Sequence, residues 1–225
     1  MFRSRFALAA LVLFLATPSW AATLTVINLN DNAAGSLRQA IQDSAPGDTI
    51  RFNAGLTGTI TLVSGLLQIQ HDLTILGPGW PVLSISGNNV SEVFGTSGAV
   101  KITDLRVTLG AAMYGGGLAN SGNLRLERCW FENNHASAGG AIWSQGPLDI
   151  VDCSFMRNDV ANPAQGGGIL SNSQILLTRC TFYGNGNSAI VSGGSLLVES
   201  CTLDSNRVSQ YGGAVQSISA GGGVT

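Results

Sequence analysis

Four cysteines set the ruler for this chain. Cys129, Cys153, Cys180 and Cys201 lie 24, 27 and 21 residues apart, and each carries the same companions at the same offsets. Two residues on stand Phe131, Phe155, Phe182 and Leu203, and five residues on stand Asn134, Asn158, Asn185 and Asn206. Eleven residues before stand Leu118, Ile142, Ile169 and Ile190. Leu105 and Val107 take the cysteine and phenylalanine places one repeat earlier, and Val215 opens a further repeat after "YGGA". The stretch from the Gly-Gly-apolar segment to the asparagine keeps its length, whereas the stretch from the asparagine to the next Gly-Gly varies. A constant part alternating with a variable part describes a solenoid with loops leaving one corner.

The period inside each repeat selects the kind of solenoid. Apolar residues alternate at Leu124 and Leu126, Leu148 and Ile150, Ile175 and Leu177, Leu196 and Val198. That is the two-residue period of a strand, and no helical period occurs in the repeat region. Three short strands with turns fill one repeat, and successive coils would stack in parallel about 4.8 Å apart. Parallel crossovers are right-handed. The expected fold is all-β, a right-handed parallel β-helix with a short N-terminal capping helix.

Each repeated position then becomes a column along the solenoid. The phenylalanine and aliphatic columns are expected to fill the core. The asparagines are expected at a sharp turn, taking up left-handed backbone and bonding from coil to coil. The cysteines are expected as small, buried, free thiols. Adjacent side chains in a parallel column stay near the strand spacing, beyond the usual Cβ separation of a disulfide, roughly 3.8 Å.

The motifs "GGAI", "FENN", "FMRN" and "FYGN" resemble the repeat of the polymorphic outer membrane proteins. "NSAI" before Val191 and "LDSN" at Leu203 depart from it. "GSLRQAIQDSAPGDTIRFN", residues 35–53, is similar to the Cys-Ser-Leu-Arg-Glu-Ala motif that opens many exported bacterial β-helices, with Gly35 and Gln39 replacing the cysteine and the glutamate. The resemblance implies a surface or secreted protein of adhesin type. Independently of it, Ser36 can cap a helix over Leu37 to Asp43 whose Leu37, Ala40 and Ile41 share one face. Such a helix would cover the first coil.

The chain begins with Arg3 and Arg5, an apolar run from Phe6 to Ala16, and Pro18-Ser19-Trp20-Ala21. This reads as a secretory signal peptide cut after Ala21. The organisation expected is a signal peptide over 1–21, a strand and capping helix over 22–48, and the β-helix over 49–225. The location expected is secreted or on the cell envelope of a bacterium. Without the signal, 9 basic residues face 13 acidic ones, and Lys101 is the single lysine. No clustered cations offer a nucleic-acid surface, and no later run is long enough to span a membrane. Eleven residues after Val215 lies position 226, one past Thr225. The last coil is therefore expected to be covered by a partner, or by repeats lost from a truncated gene product.

Chemistry has one candidate place, beside the cysteine column. Arg128, Asp152, Arg179 and Ser200 precede the cysteines by one residue, and Arg125, Asp149, Leu176 and Leu197 by four. Arg128–Asp152–Arg179 and Arg125–Asp149 would be unlike charges on neighbouring coils, a structural ladder. The competing reading makes them a polysaccharide lyase site, with Asp149 and Asp152 holding Ca²⁺ and an arginine as base. Two carboxylates from one coil flanked by arginines suit pairing better. No catalytic, cofactor or metal residue is therefore assigned, and no cofactor is expected. His71 and His135 read as surface residues. Trp130, Trp143, Tyr183 and Tyr211 could line a sugar-binding face. The function expected is a non-enzymatic exported β-helix whose partner is a host surface or a polysaccharide. The alternative is a polysaccharide-binding or -cleaving β-helix enzyme.

Overall fold

The structure, a computed structural model, describes residues 21–162, 165–207 and 214–218. The signal-peptide assignment, apart from Ala21, and Tyr211 lie outside the described residues.

The described chain winds through three long parallel sheets in constant rotation. The first sheet has eight strands, from Thr23–Val26 through Asn123–Glu127 and Leu148–Val151 to Leu196–Glu199. The second has seven, from Gly58–Thr61 through Trp130–Glu132 and Ser154–Met156 to Thr202–Asp204. The third has seven, from Leu67–Ile69 through Phe94–Thr96 and Leu118–Asn120 to Val215–Ser217. One coil runs from the first sheet past the cysteine corner into the second. It then passes the asparagine corner and Gly-Gly into the third.

The register is the one the repeat implies. Leu118 pairs with Ile142, Ile142 with Ile169, Ile169 with Ile190 and Ile190 with Val215. Val107, Phe131, Phe155, Phe182 and Leu203 form one column of neighbours. The phenyl rings stack inside it, with centroids 5.4 Å apart for Phe131–Phe155 and 4.6 Å for Phe155–Phe182. All three are buried.

The asparagine corner bonds from coil to coil as expected, but its backbone differs from the expectation. Left-handed backbone falls one residue before each asparagine, at Asn133, Arg157, Gly184 and Ser205, and the asparagines themselves avoid it. The reason is that each asparagine amide must point inward. Asn158 Oδ1 accepts from the backbone N–H of Asn134 at 3.1 Å and from its side-chain nitrogen at 2.9 Å. Asn158 Nδ2 donates to Phe131 O at 2.9 Å and to Asn185 Oδ1 at 3.0 Å. Asn134, Asn185 and Asn206 repeat the pattern, and the ladder ends where Gly110 N–H donates to Asn134 Oδ1.

The cysteine corner uses thiols in the same manner. Asp104, Arg128, Asp152, Arg179 and Ser200 take the left-handed turn immediately before Leu105 and the four cysteines. Cys153 Sγ then accepts from Cys129 N–H at 3.3 Å and donates to Val151 O at 3.3 Å, and Cys201 Sγ accepts from Cys180 N–H at 3.2 Å. The thiols are free, and they satisfy backbone groups as well as filling space. Burial pushes the Cys153 thiol well up and that of Cys180 up to about 12.

Two features escaped the repeat analysis. Ala111–Tyr114, His135–Ala138 and Asp159–Val160 form a fourth, three-stranded sheet in the variable segments. It lies over the outer side of the third sheet, where Ala138, Leu170 and Val191 make a small second core against Trp143. The other feature is a second buried polar column. Thr96 Oγ1 donates to Asn120 Oδ1 at 2.9 Å, and Asn120 Nδ2 to Ser144 Oγ at 2.9 Å. Ser144 and Ser192 hydroxyls then donate to Gly146 O and Gly194 O.

At the N-terminal end, the helix Leu37–Asp43 presents Leu37, Ala40 and Ile41 to the core, with Ser36 Oγ accepting from Gln39 N–H. Gly35 stands at φ +77°, which favours glycine over the cysteine of the related motif. Arg38 clasps this helix to the first coil. Its guanidinium donates to Asp31 Oδ1 at 2.6 and 3.0 Å and to the carbonyls of Gly65 and Leu66. Asp31 Oδ2 accepts from the N–H groups of Val63 and Ser64.

Two outcomes follow from this core. Phe155→Ala should lower unfolding free energy by about 3–5 kcal/mol. Asn158→Ala should cost about 3 kcal/mol although it removes little apolar area, because it orphans several buried polar groups. Urea melts check both, and a loss below about 1 kcal/mol for Asn158→Ala would refute the ladder's role. Thiol labelling of the native protein near pH 8 should modify the half-buried Cys201 first, with Cys129, Cys153 and Cys180 protected until unfolding. Mass spectrometry of peptides identifies the site.

Candidate functional site

The outer face of the first sheet carries the residues in question. Strand alternation turns Lys101, Arg125, Asp149 and Leu176 outward in one column of neighbours. They line a groove of about 360 Å³ with Pro147 and Gln174. Arg125 donates to Asp149 Oδ2 and, through Nε, to Glu127 Oε1 at 2.7 Å. Lys101 Nζ lies 3.0 Å from the same Glu127 oxygen. The Lys101 and Arg125 hydrogen bonds hold the Glu127 carboxyl below its ordinary range, and the Glu127 bond lifts Arg125 further above its own.

The turn column beside it does not form the continuous ladder read from the sequence. Arg128 forks onto Asp104, with both contacts at 2.7 Å, and Arg179 forks onto Asp152 at 2.7 and 2.8 Å. Each arginine reaches one coil back, because a planar guanidinium is satisfied by a single carboxylate taken with both prongs. Arg128–Asp152 is therefore not a bonded pair. The Arg179 hydrogen bond holds Asp152 below the usual carboxylate range. Burial would push Asp104 up, but the Arg128 bond and charge outweigh it and its range is lowered. These pairs are open to solvent, which screens them, so they add little to stability.

This arrangement is poorly suited to the lyase reading. Asp149 and Asp152 turn to arginines on opposite neighbouring coils, Arg125 before and Arg179 after. The arginine that would act as base is itself stabilised as a cation by Glu127. Among the described residues, no three His, Cys, Asp or Glu side chains converge as a metal site.

The aromatic residues also separate. Trp130 sits on the second sheet, stacked on Trp80 with centroids 4.4 Å apart, and its Nε1 donates to Glu132 Oε2 at 2.7 Å. Tyr183 is exposed on the same sheet. Trp143 belongs to the third sheet, so these residues do not share one face. His71 Nε2 lies 3.0 Å from Ser44 Oγ and ties the helix end to the next coil, whereas His135 is exposed in the fourth sheet.

Sequence reasoning missed Glu92. It stands before Phe94–Thr96, at a cleft of about 210 Å³ shared with Gln68, Gly95, Ala119 and Trp143. Its Oε1 accepts from Ala119 N–H at 2.9 Å. Burial raises its pKa to about 7, and the Ala119 N–H only partly offsets that. No repeat marks Glu92, and a lone glutamate between loops carries no sequence signal.

Among the described residues, no helix is long and apolar enough to cross a membrane.

The Glu92 carboxyl holds its proton more tightly folded than unfolded. Stability should therefore fall as pH rises from about 4.5 to about 7, and the deficit should be complete above that window. Glu92→Gln keeps an acceptor for Ala119 N–H and removes the ionisation. Its thermal midpoint, relative to the parent, should be higher at pH 8 than at pH 4. Equal offsets at the two pH values would show that Glu92 ionises normally.

Comparison with known proteins matches residues 80–225 to the family described as the right handed beta helix region. No curated protein and no solved structure matches the chain. The matched segment holds the cysteine and asparagine columns and most strands of the three long sheets, and the chain belongs to the right-handed β-helix family.

Proposed function

We propose that this chain is an exported bacterial β-helix of the polymorphic outer membrane protein type, acting at the cell surface or after secretion by binding rather than by catalysis. One observation carries the non-catalytic part. The carboxylates of the candidate site are each taken up by an arginine, Asp149 by Arg125 and Asp152 by Arg179. A carboxylate so held is a weak competitor for a cation, and a guanidinium so held is a weak base. Export rests on the N-terminal segment with Arg3, Arg5 and the apolar run that follows. The surface role rests on the Gly-Gly-Ala-Ile and Phe-x-x-Asn repeats.

The experiment has two arms on the full chain. Expressed in a Gram-negative host, it should be found processed after Ala21 and outside the inner membrane, which N-terminal sequencing and fractionation would establish. Incubated with polygalacturonate and Ca²⁺, it should release no unsaturated uronides absorbing in the ultraviolet. Release of such products, abolished by Asp149→Asn, would overturn the binding reading in favour of a lyase.

A further inference from the structure

The outer face of the third sheet contains a built notch. Its outward column runs Gln68, Gly95, Ala119, Trp143, Leu170, Val191. Two small residues thus stand between two large ones. With coils about 4.8 Å apart, Gln68 and Trp143 stand three coil steps apart, roughly 14 Å along the column, and because the Gln68 amide folds over Gly95 the open part lies over Ala119. Its volume, about 210 Å³, lies below the range of roughly 300–1,000 Å³ that encloses drug-sized ligands. It suits one small ring rather than an extended molecule. A second cavity, about 120 Å³, lies on the other side of Leu66 and Gln68, against Arg38 and Gln42 of the helix.

Trp143 packs on the small core of Ala138, Leu170 and Val191, and its ring lies 5.1 Å from that of Tyr114, tilted by 37°. Its indole is half-buried, so part of it remains open beside Ala119. At the other end Gln68 Nε2 donates to Gly95 O at 3.2 Å, which leaves its amide lying on Gly95. A Cβ on residue 95 would stand 2.7 Å from Gln68 Oε1, so glycine gives the amide its place. Glu92 is pinned through one oxygen by Ala119 N–H, and Ser97 and Ser121 are exposed at the rim.

The charge of the notch decides its ligand class. Among the described residues lining it, Glu92 alone can ionise, and burial keeps that carboxyl largely protonated below neutrality. Arg125 and Lys101 lie on the first sheet, around another face of the solenoid, and Arg38 at the adjoining cavity is taken up by Asp31. A uronate would meet a carboxyl group and no cation here. An uncharged ring bearing hydroxyls would meet an apolar indole, a carboxyl and a side-chain amide, which is what such a ring needs. From this geometry we infer that the notch is a binding subsite for a neutral glycan, with the sugar ring against Trp143 and its hydroxyls bonded to Glu92 and Gln68. The inference rests on the binding reading above and adds its ligand class and its place.

Titration calorimetry of the full chain with cellohexaose, maltohexaose and laminarihexaose, against hexagalacturonate, tests it. At least one neutral hexasaccharide should bind and the uronate should not. Trp143→Ala should weaken binding at least about tenfold. Because that change also opens the small core, Ala119→Leu provides the second variant. Its side chain points out of the main core into the notch, so affinity should fall by about tenfold or more while the thermal midpoint stays. Binding that survives Ala119→Leu, equal binding of hexagalacturonate, or no binding of any neutral hexasaccharide overturns the inference. Cleavage of polygalacturonate would instead overturn the non-catalytic reading and leave the notch assignment standing.

Discussion

Everything in this molecule depends on how a β-helix closes its corners without water. A turn between two strands leaves peptide groups unpaired, and stacking coils buries them. The asparagine column answers this directly. Asn158 and Asn185 each use both amide hydrogens and accept twice on the amide oxygen. Because donor and acceptor both point along the solenoid axis, the bonds tie each coil to its neighbours. The cost of an unpaired buried peptide group, about 1–3 kcal/mol, makes this position far less tolerant than its small apolar area suggests.

The second corner reaches the same end with thiols. A cysteine is small enough to sit beside the stacked phenylalanines. Its sulfur accepts the neighbouring coil's N–H and gives its proton to a carbonyl two residues back. Both corners also require one residue of left-handed backbone per turn, and arginine or aspartate supplies it at several of them. Those residues point outward, which is why charged side chains line up beside the cysteines. The bidentate Arg128–Asp104 and Arg179–Asp152 pairs are by-products of turn geometry, put to modest use between coils.

Function is left to the outer faces, since the inner ones are committed to packing. On the first sheet, arginines and carboxylates neutralise one another. On the third, the fourth sheet covers Leu170 and Val191 while Ala119 leaves a gap between Trp143 and the Gln68 amide lying on Gly95. The contrast arises from the variable segments. Where they add a strand, the outer face becomes core, and where the column turns small, it becomes a cleft.

The cysteine, phenylalanine and asparagine spacings by themselves determined the fold class and the register, down to Val215 beside Ile190. They could do so because a solenoid makes sequence distance and spatial neighbourhood the same thing. Ser36 and the Leu37, Ala40, Ile41 face likewise announced the helix, which is a local matter. Only the tertiary structure decided which partner each arginine took, since Arg128 stands between Asp104 and Asp152 in its column and side-chain reach alone chooses. It decided that Trp130 and Trp143 face different ways, because the outward direction rotates from one sheet to the next. It also decided the environment of Glu92, whose burial comes from residues one coil earlier and later. Side chains with a place in the repeat were legible, and those whose surroundings are assembled from non-repeating positions were not.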